Sequence, residues 1–179
     1  MERLRAAIQI RRYLTIVFVL LLVLSFPRLH DAKSPKWFER FIQVVPLVST
    51  RIDVESLFRS PKVARAADGS SNEKIQYTIK EGRLSVFYSK GDCSLGGTYN
   101  VGKGVVTSIT AYLDKPVSWS VLRLDIKTFD KREVSDLPGN FTFVNERTGM
   151  WLFGSESEVH EITLRPALDK SHMECPGAD

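Results

Sequence analysis

From Ile75 onward apolar side chains recur at every second position, and that period fixes the fold class of most of this chain. Ile75, Tyr77 and Ile79 alternate with polar residues, Glu81-Gly82 reads as a turn, and Leu84, Val86 and Tyr88 alternate again. The pattern buries one face of each strand and leaves the other toward solvent, the signature of an antiparallel hairpin. Val105, Ile109, Ala111 and Leu113 continue it. In a later hairpin Phe141 and Phe143 lead in, Asn145 to Gly149 turn, and Met150 to Phe153 lead out. Between them, after Pro116, Val121, Leu122, Leu124, Ile126 and Phe129 fit either a strand or a short helix.

Upstream the period is helical. Ser34 to Ile42 (SPKWFERFI) predicts a short helix with Ser34 as N-cap and Pro35 at the first helical position. Its Trp37, Phe38 and Phe41 suit two places, the headgroup region of a membrane or one face of the domain. Pro46 breaks the pattern, and Thr50-Arg51-Ile52-Asp53 offers a capping box for a second helix that carries Val54, Leu57 and Phe58 on one face and ends at Pro61. Residues 65–73 (RAADGSSNE) have loop composition. The expected architecture is α+β: one or two short helices packed on an antiparallel sheet of about five to seven strands. Residues 28–73 supply juxtamembrane helices and a loop, and residues 74–179 the β-rich part of the same domain. A faint repeat runs through the strands. Tyr77-Thr78-Ile79 to Phe87 parallels Phe141-Thr142-Phe143 to Leu152, and Ile109-Thr110 echoes Ile162-Thr163. Duplication and the shared composition of hairpins both account for it.

Residues 1–27 are of a different kind. Arg3, Arg5, Arg11 and Arg12 precede an uncharged apolar run, Tyr13 to Phe26 (YLTIVFVLLLVLSF). A basic flank keeps the N-terminus in the cytoplasm while the run enters the bilayer, so the segment reads as a signal anchor or a signal peptide. Fourteen residues make roughly 21 Å of helix, short of the approximately 30 Å hydrocarbon core. Against cleavage, Val23-Leu24-Ser25 and His30-Asp31-Ala32 are poor small-x-small sites. The expectation is a single pass through the inner (cytoplasmic) membrane by residues 13–26, with the C-terminal domain outside the cytoplasm. The alternative is a secreted or periplasmic domain after cleavage. The first cysteine is Cys93, which argues against an acylated N-terminal cysteine.

Residues 1–27 also hold four of the 25 basic residues and one of the 21 acidic ones, leaving 21 against 20 in the remaining 152. The basic isoelectric point therefore belongs largely to the targeting segment, and a nucleic-acid partner, which needs a basic stripe on the folded domain, is not expected. Cys93 and Cys175 both lie in the exported part, where an oxidising compartment permits a disulfide. They are expected to pair, the alternative being two separate thiols. With no CxxC or Cys/His cluster, a structural zinc site is not expected.

Three segments together resemble a family of small exported bacterial proteins with no assigned activity: Val45-Pro46-Leu47-Val48-Ser49-Thr50-Arg51-Ile52-Asp53-Val54-Glu55-Ser56-Leu57, the stretch from Tyr99-Asn100-Val101 to Ile109, and Leu137-Pro138-Gly139 through Asn145-Glu146 to Glu174-Cys175-Pro176. The first segment is also similar to the Thr-x-x-Asp-Val-x-x-Leu helix of the small lipoprotein of the outer-membrane barrel-assembly machinery, whose helices pack on an antiparallel sheet as they do in β-lactamase-inhibitor protein. Such proteins follow that helix with Leu-Gly-x-Pro, whereas this chain has Phe58-Arg59-Ser60-Pro61. The resemblance implies an α+β fold and carries no catalytic residues.

Motifs for chemistry are few. Gly97 to Gly104 (GTYNVGKG) nearly spells a phosphate-binding loop. It lacks the Ser or Thr after the lysine and leads into a β-patterned segment rather than a helix, so it reads as a glycine-rich connection. His160 in Glu158-Val159-His160-Glu161-Ile162 has carboxylates nearby that suit an oriented imidazole, yet alternation makes this segment a strand with a charged face. His172 falls in the C-terminal tail. Asn140-Phe141-Thr142 matches the N-glycosylation triplet, which matters only in a eukaryotic secretory pathway. Trp37, Trp119 and Trp151, with Phe153 beside the last, are candidates for an aromatic contact patch, the competing use being core. No catalytic, metal or cofactor-binding residues are nominated. The function expected is a membrane-held, non-enzymatic extracytoplasmic module that binds another envelope protein. The alternatives are a small exported hydrolase, marked by a pocket holding His160 and a carboxylate, or a binder of an apolar small ligand.

Overall fold

A computed structural model describes residues 34–59, 72–96 and 98–176. The apolar run 13–26 and most of the 65–73 loop lie outside the described residues, and no helix among the described residues is long and apolar enough to cross a membrane. The first helix, α1, is Lys36–Phe41, one residue later than its sequence signals place it. Pro35 takes the N-cap position and its carbonyl accepts the amides of Phe38 and Glu39. The second, α2 (Arg51–Phe58), begins at the predicted capping box: the Asp53 carboxylate accepts the Thr50 amide at 2.7 Å and the Thr50 hydroxyl at 2.8 Å. Those two bonds hold the Asp53 carboxyl below its ordinary pKa. Helix α2 stops at Arg59, where φ is +63°, the backbone hand that the Leu-Gly-x-Pro pattern would give to glycine.

Seven strands follow: β1 (Asn72–Ile79), β2 (Gly82–Ser89), β3 (Val106–Ser118), β4 (Asp130–Glu133), β5 (Phe141–Asn145), β6 (Met150–Gly154) and β7 (Glu158–Leu164). They form one antiparallel sheet in the order β1-β2-β3-β7-β6-β5-β4. The meanders β1–β2–β3 and β5–β6–β7 thus meet through their last strands, and the echoed Thr110 and Thr163 stand directly opposite each other. Gly82 opens β2 with φ +150°, and a Cβ there would fall 2.1 Å from the Tyr112 carbonyl oxygen, so glycine lets β2 lie against β3. The segment that fitted either strand or helix becomes a short helix, α3 (Trp119–Leu122), then a 3₁₀ turn at Ile126–Thr128. Strand β1 starts at Asn72, inside the stretch of loop composition.

One face of the sheet is covered. Leu84, Val86, Ile109, Ala111, Ile162, Leu152 and Phe143 pack with Phe38, Phe41 and Val54 of the helices and with Trp119 and Leu122 of α3 in a single cluster. Each large apolar side chain taken fully from water contributes about 1.5–3 kcal/mol. Trp37, Phe38 and Phe41 belong to this core, which settles their two readings in favour of the domain.

A polar pair lies within the core. The hydroxyls of Tyr77 and Tyr88, both buried, are 2.8 Å apart, and the Arg51 guanidinium, ion-paired with Glu73, lies 5.1 Å from the centre of the Tyr88 ring. Burial raises the pKa of both phenols. Replacing either with Phe strands the other hydroxyl, at a cost of about 1–3 kcal/mol, whereas the double Phe variant removes both and recovers part of that loss. Below the ordinary tyrosine value of 10.0 both states are protonated and the contribution is whole. As pH climbs above that value the unfolded chain ionises while the native pair does not, so stability falls toward the raised native values. Urea unfolding between pH 8 and 11 reads this directly. A pH slope identical in wild type and the double variant, or strictly additive single costs, would contradict the assignment.

Candidate functional site

The other face of the sheet carries no α-helix among the described residues, and strand register arranges its side chains in rows. One runs Thr78, Arg83, Tyr112, Glu161, Phe153, Thr142, Arg132; the next runs Gln76, Ser85, Thr110, Thr163, Trp151, Val144, Asp130. These are the residues out of phase with the main core cluster, and among them Ser85, Thr110 and Val144 are themselves buried. At about 4.8 Å per strand, Arg83 and Arg132 stand roughly 24 Å apart across the first row.

A strap crosses one end of this face. Cys93 and Cys175 are joined in a disulfide with Cα atoms 5.4 Å apart, as the sequence led us to expect. Beside it the Cys175 amide bonds to the Thr98 carbonyl at 2.9 Å, the Asn100 amide to Met173 at 2.7 Å, and Tyr99 bridges Glu174 in antiparallel fashion. The former phosphate-loop look-alike is part of this strap: its described residues pass through loop into β3 with no helix. Two adjoining hollows of about 400 Å³ each lie on this face, the first walled by the strap residues Thr98 and Tyr99. One is lined by Phe87, Thr98, Tyr99, Ser108, Thr110, Tyr112, Glu161 and Arg165 among others, the second by Thr142, Trp151, Phe153, Glu161, Thr163 and Arg165. Gly149 fixes Arg165, which with Glu161 and Thr163 lines both hollows. With φ +69° it sits so close that a Cβ would fall 2.1 Å from the Arg165 carbonyl oxygen, and its own carbonyl accepts the Arg165 amide at 2.8 Å.

The electrostatics of the face are those of cations laid on rings. The Arg165 guanidinium lies 4.4 Å from the Trp151 centroid, Arg83 4.9 Å from Tyr112, and the Lys74 ammonium 5.5 Å from Phe87. None of these three is ion-paired among the described residues, whereas Arg132, also over Trp151 at 5.7 Å, bonds Glu146 at 3.1 Å. A guanidinium held over a ring has no acceptor there for its N–H groups, which leaves them able to meet a planar acceptor. Between the cations sits Glu161, whose carboxyl pKa is raised by burial, with the Thr163 hydroxyl at 3.3 Å and the Arg165 charge acting against the rise. Thr163 in turn meets Thr110 at 3.0 Å. Burial and the neighbouring Glu161 raise the pKa of Tyr112, and burial with Glu174 that of Tyr99.

The three tryptophans do not form a patch. Trp37 and Trp119 are 6 % and 7 % exposed and lie in the core, because α1 and α3 turn their apolar sides to the sheet. Trp151 is half-buried on the uncovered face, out of phase with the buried Leu152. The aromatics that share its face are instead Phe87, Tyr112 and Phe153, whose outward phase was the available signal. His160 packs against Phe153, ring centres 6.2 Å apart, and is not among the residues lining either hollow. His172 Nδ1 is bonded to the Asp169 carbonyl at 2.9 Å, an arrangement that closes a 3₁₀ turn. Among the described residues no group of three or more His, Cys, Asp or Glu side chains is placed to hold a metal ion. Comparison of the chain with protein families, with curated proteins and with solved structures finds no match in any of the three.

Proposed function

We propose that this chain is a non-enzymatic extracytoplasmic binding module, held at the inner membrane by residues 13–26, whose uncovered sheet face takes an acidic segment of another envelope protein. The observation that carries the reading is the set of ring-backed cations, Lys74, Arg83 and Arg165, none of which forms an ion pair among the described residues. Stacking orders them before a ligand arrives, which lowers the entropy lost on binding. Their spread across the sheet suits a segment several residues long. The central Glu161 carboxylate disfavours a densely charged polyanion and favours acidic side chains spaced by neutral ones. Export is supported by the arginine-flanked apolar run and by the Cys93–Cys175 bond.

The test is fluorescence anisotropy of the full chain in detergent with a labelled peptide of alternating Glu and Ser, and with its Gln counterpart. Binding of the Glu peptide alone is expected, weakening with salt as exposed charges are screened. Arg83→Ala and Arg165→Ala should each reduce affinity about fivefold, the equivalent of about 1 kcal/mol for a surface ion pair. A photocrosslinker at Phe153 should capture an envelope protein in cells, in competition with the same peptide. Binding that ignores both arginine substitutions would refute the assignment of this face.

A further inference from the structure

We infer that the turn joining α1 to α2 is a bilayer-contacting surface, which seats the domain on the headgroup region of the membrane. The inference rests on the anchor reading of residues 13–26 proposed above, and uses a surface separate from the uncovered sheet face. Of the eight large apolar side chains exposed among the described residues, four fall in the eleven positions 42–52: Ile42 at 47 %, Val45 at 46 %, Val48 at 62 % and Ile52 at 78 %.

Backbone geometry fastens two of them, Val45 and Val48. The amides of Val48 and Ser49 both return to the Val45 carbonyl, at 3.1 and 2.8 Å, and the Ser49 hydroxyl accepts the Val45 amide at 2.8 Å. Leu47, at φ +65°, drives its side chain into the domain and its amide onto the Val106 carbonyl of β3 at 2.7 Å. The apolar run Val44-Val45-Pro46-Leu47-Val48 is thereby split: Val44, Pro46 and Leu47 are buried, while Val45 and Val48 are held out in water by a turn that cannot retract them.

What covers such a surface follows from the chain before it. Residues 27–33 alone separate the end of the apolar run at Phe26 from Ser34, where the described domain begins. Seven residues reach at most about 24 Å, so a chain anchored by residues 13–26 holds Ser34, eight positions before Ile42, within that reach of the lipid surface. The charge is nearly balanced: residues 34–59 carry Lys36, Arg40, Arg51 and Arg59 against Glu39, Asp53 and Glu55. Insertion of apolar side chains at the interface, rather than attraction to anionic lipid, is therefore the driving term.

The experiment uses the full chain in phosphatidylcholine vesicles, with an environment-sensitive fluorophore on Val48→Cys or Ile52→Cys and on Leu137→Cys of the β4–β5 connection as reference. Both native cysteines are occupied in the disulfide, and all three positions are exposed, so labelling leaves the core intact. Labels at 48 and 52 should be blue-shifted and quenched by spin-labelled lipid, with the 137 label quenched by aqueous iodide. Unchanged quenching when anionic lipid is added supports apolar seating. Iodide access at 48 and 52 equal to that at 137 overturns the inference, as does shielding from both quenchers, which would mean that protein covers the turn. Alkaline carbonate extraction separates the two failures: a chain that stays with the membrane while its labels are aqueous refutes the seating alone, and a chain that is released refutes the anchor as well.

Discussion

Reduction of the Cys93–Cys175 bond is expected to lower the unfolding free energy by roughly 4 to 5 kcal/mol, the loop-closure entropy of a cross-link spanning 82 positions. For a chain of this size that corresponds to a melting temperature lower by about 10–20 °C. The cause is mainly in the unfolded chain, which regains the conformations that the bond forbids. A second consequence is local. The strap of Thr98, Tyr99 and Asn100 is fastened to residues 173–175 by the hydrogen bonds beside the disulfide, and freeing the C-terminus loosens them together with the wall they give to the hollow over Tyr112 and Arg165. Thermal melts with and without reductant, paralleled by Cys93→Ser/Cys175→Ser, measure the first effect; peptide affinity of the reduced chain at low temperature measures the second. A melting temperature unmoved after verified reduction would refute the loop-entropy account.

What the sequence disclosed and withheld follows from which interactions are local. The period of two between Ile75 and Tyr88 reports burial of alternate residues, so β1 and β2 were legible, and so were β5 and β6 around their Asn145–Gly149 turn. Strand β4 was not. Asp130, Lys131, Arg132 and Glu133 are all exposed at the edge of the sheet, and a strand with no buried face writes no alternation. The short helix at Trp119 stayed ambiguous because four residues hold too little of either period. The capping box at Thr50 was legible because its bonds span three residues. The binding face was illegible for the opposite reason. Tyr112, Glu161 and Phe153 become neighbours only because β7 inserts between β3 and β6, and neither the strand order nor the bulge near Gly154 is encoded in any local pattern. Residue type misled in the same way: tryptophan at 119 and at 151 looks alike in a sequence and serves different ends in the fold.

That difference has a measurable size. Trp119→Ala is expected to cost about 3–5 kcal/mol, the range for deleting a buried aromatic. The Trp119 ring meets Phe143 at 4.7 Å and Phe129 at 6.0 Å, both edge-on, and its indole N–H bonds the Ser155 carbonyl at 3.3 Å, so the substitution empties a filled site between α3 and β5 and strands an acceptor. Trp151→Ala removes a half-buried ring from the uncovered face and should cost only about 1 kcal/mol, as surface-side changes do. It takes away the support under Arg165 and Arg132, so its main effect falls on binding: the acidic peptide should lose about tenfold in affinity, because the two guanidiniums regain the rotamer freedom that stacking denies them. Chemical denaturation and anisotropy on the two variants give a two-by-two comparison. A folding loss several times larger at Trp119 than at Trp151, and a binding loss confined to Trp151, follow from the division of the sheet into a filled face and an open one. Equal folding losses, or peptide binding intact without Trp151, would show that the open face is only the outside of the core.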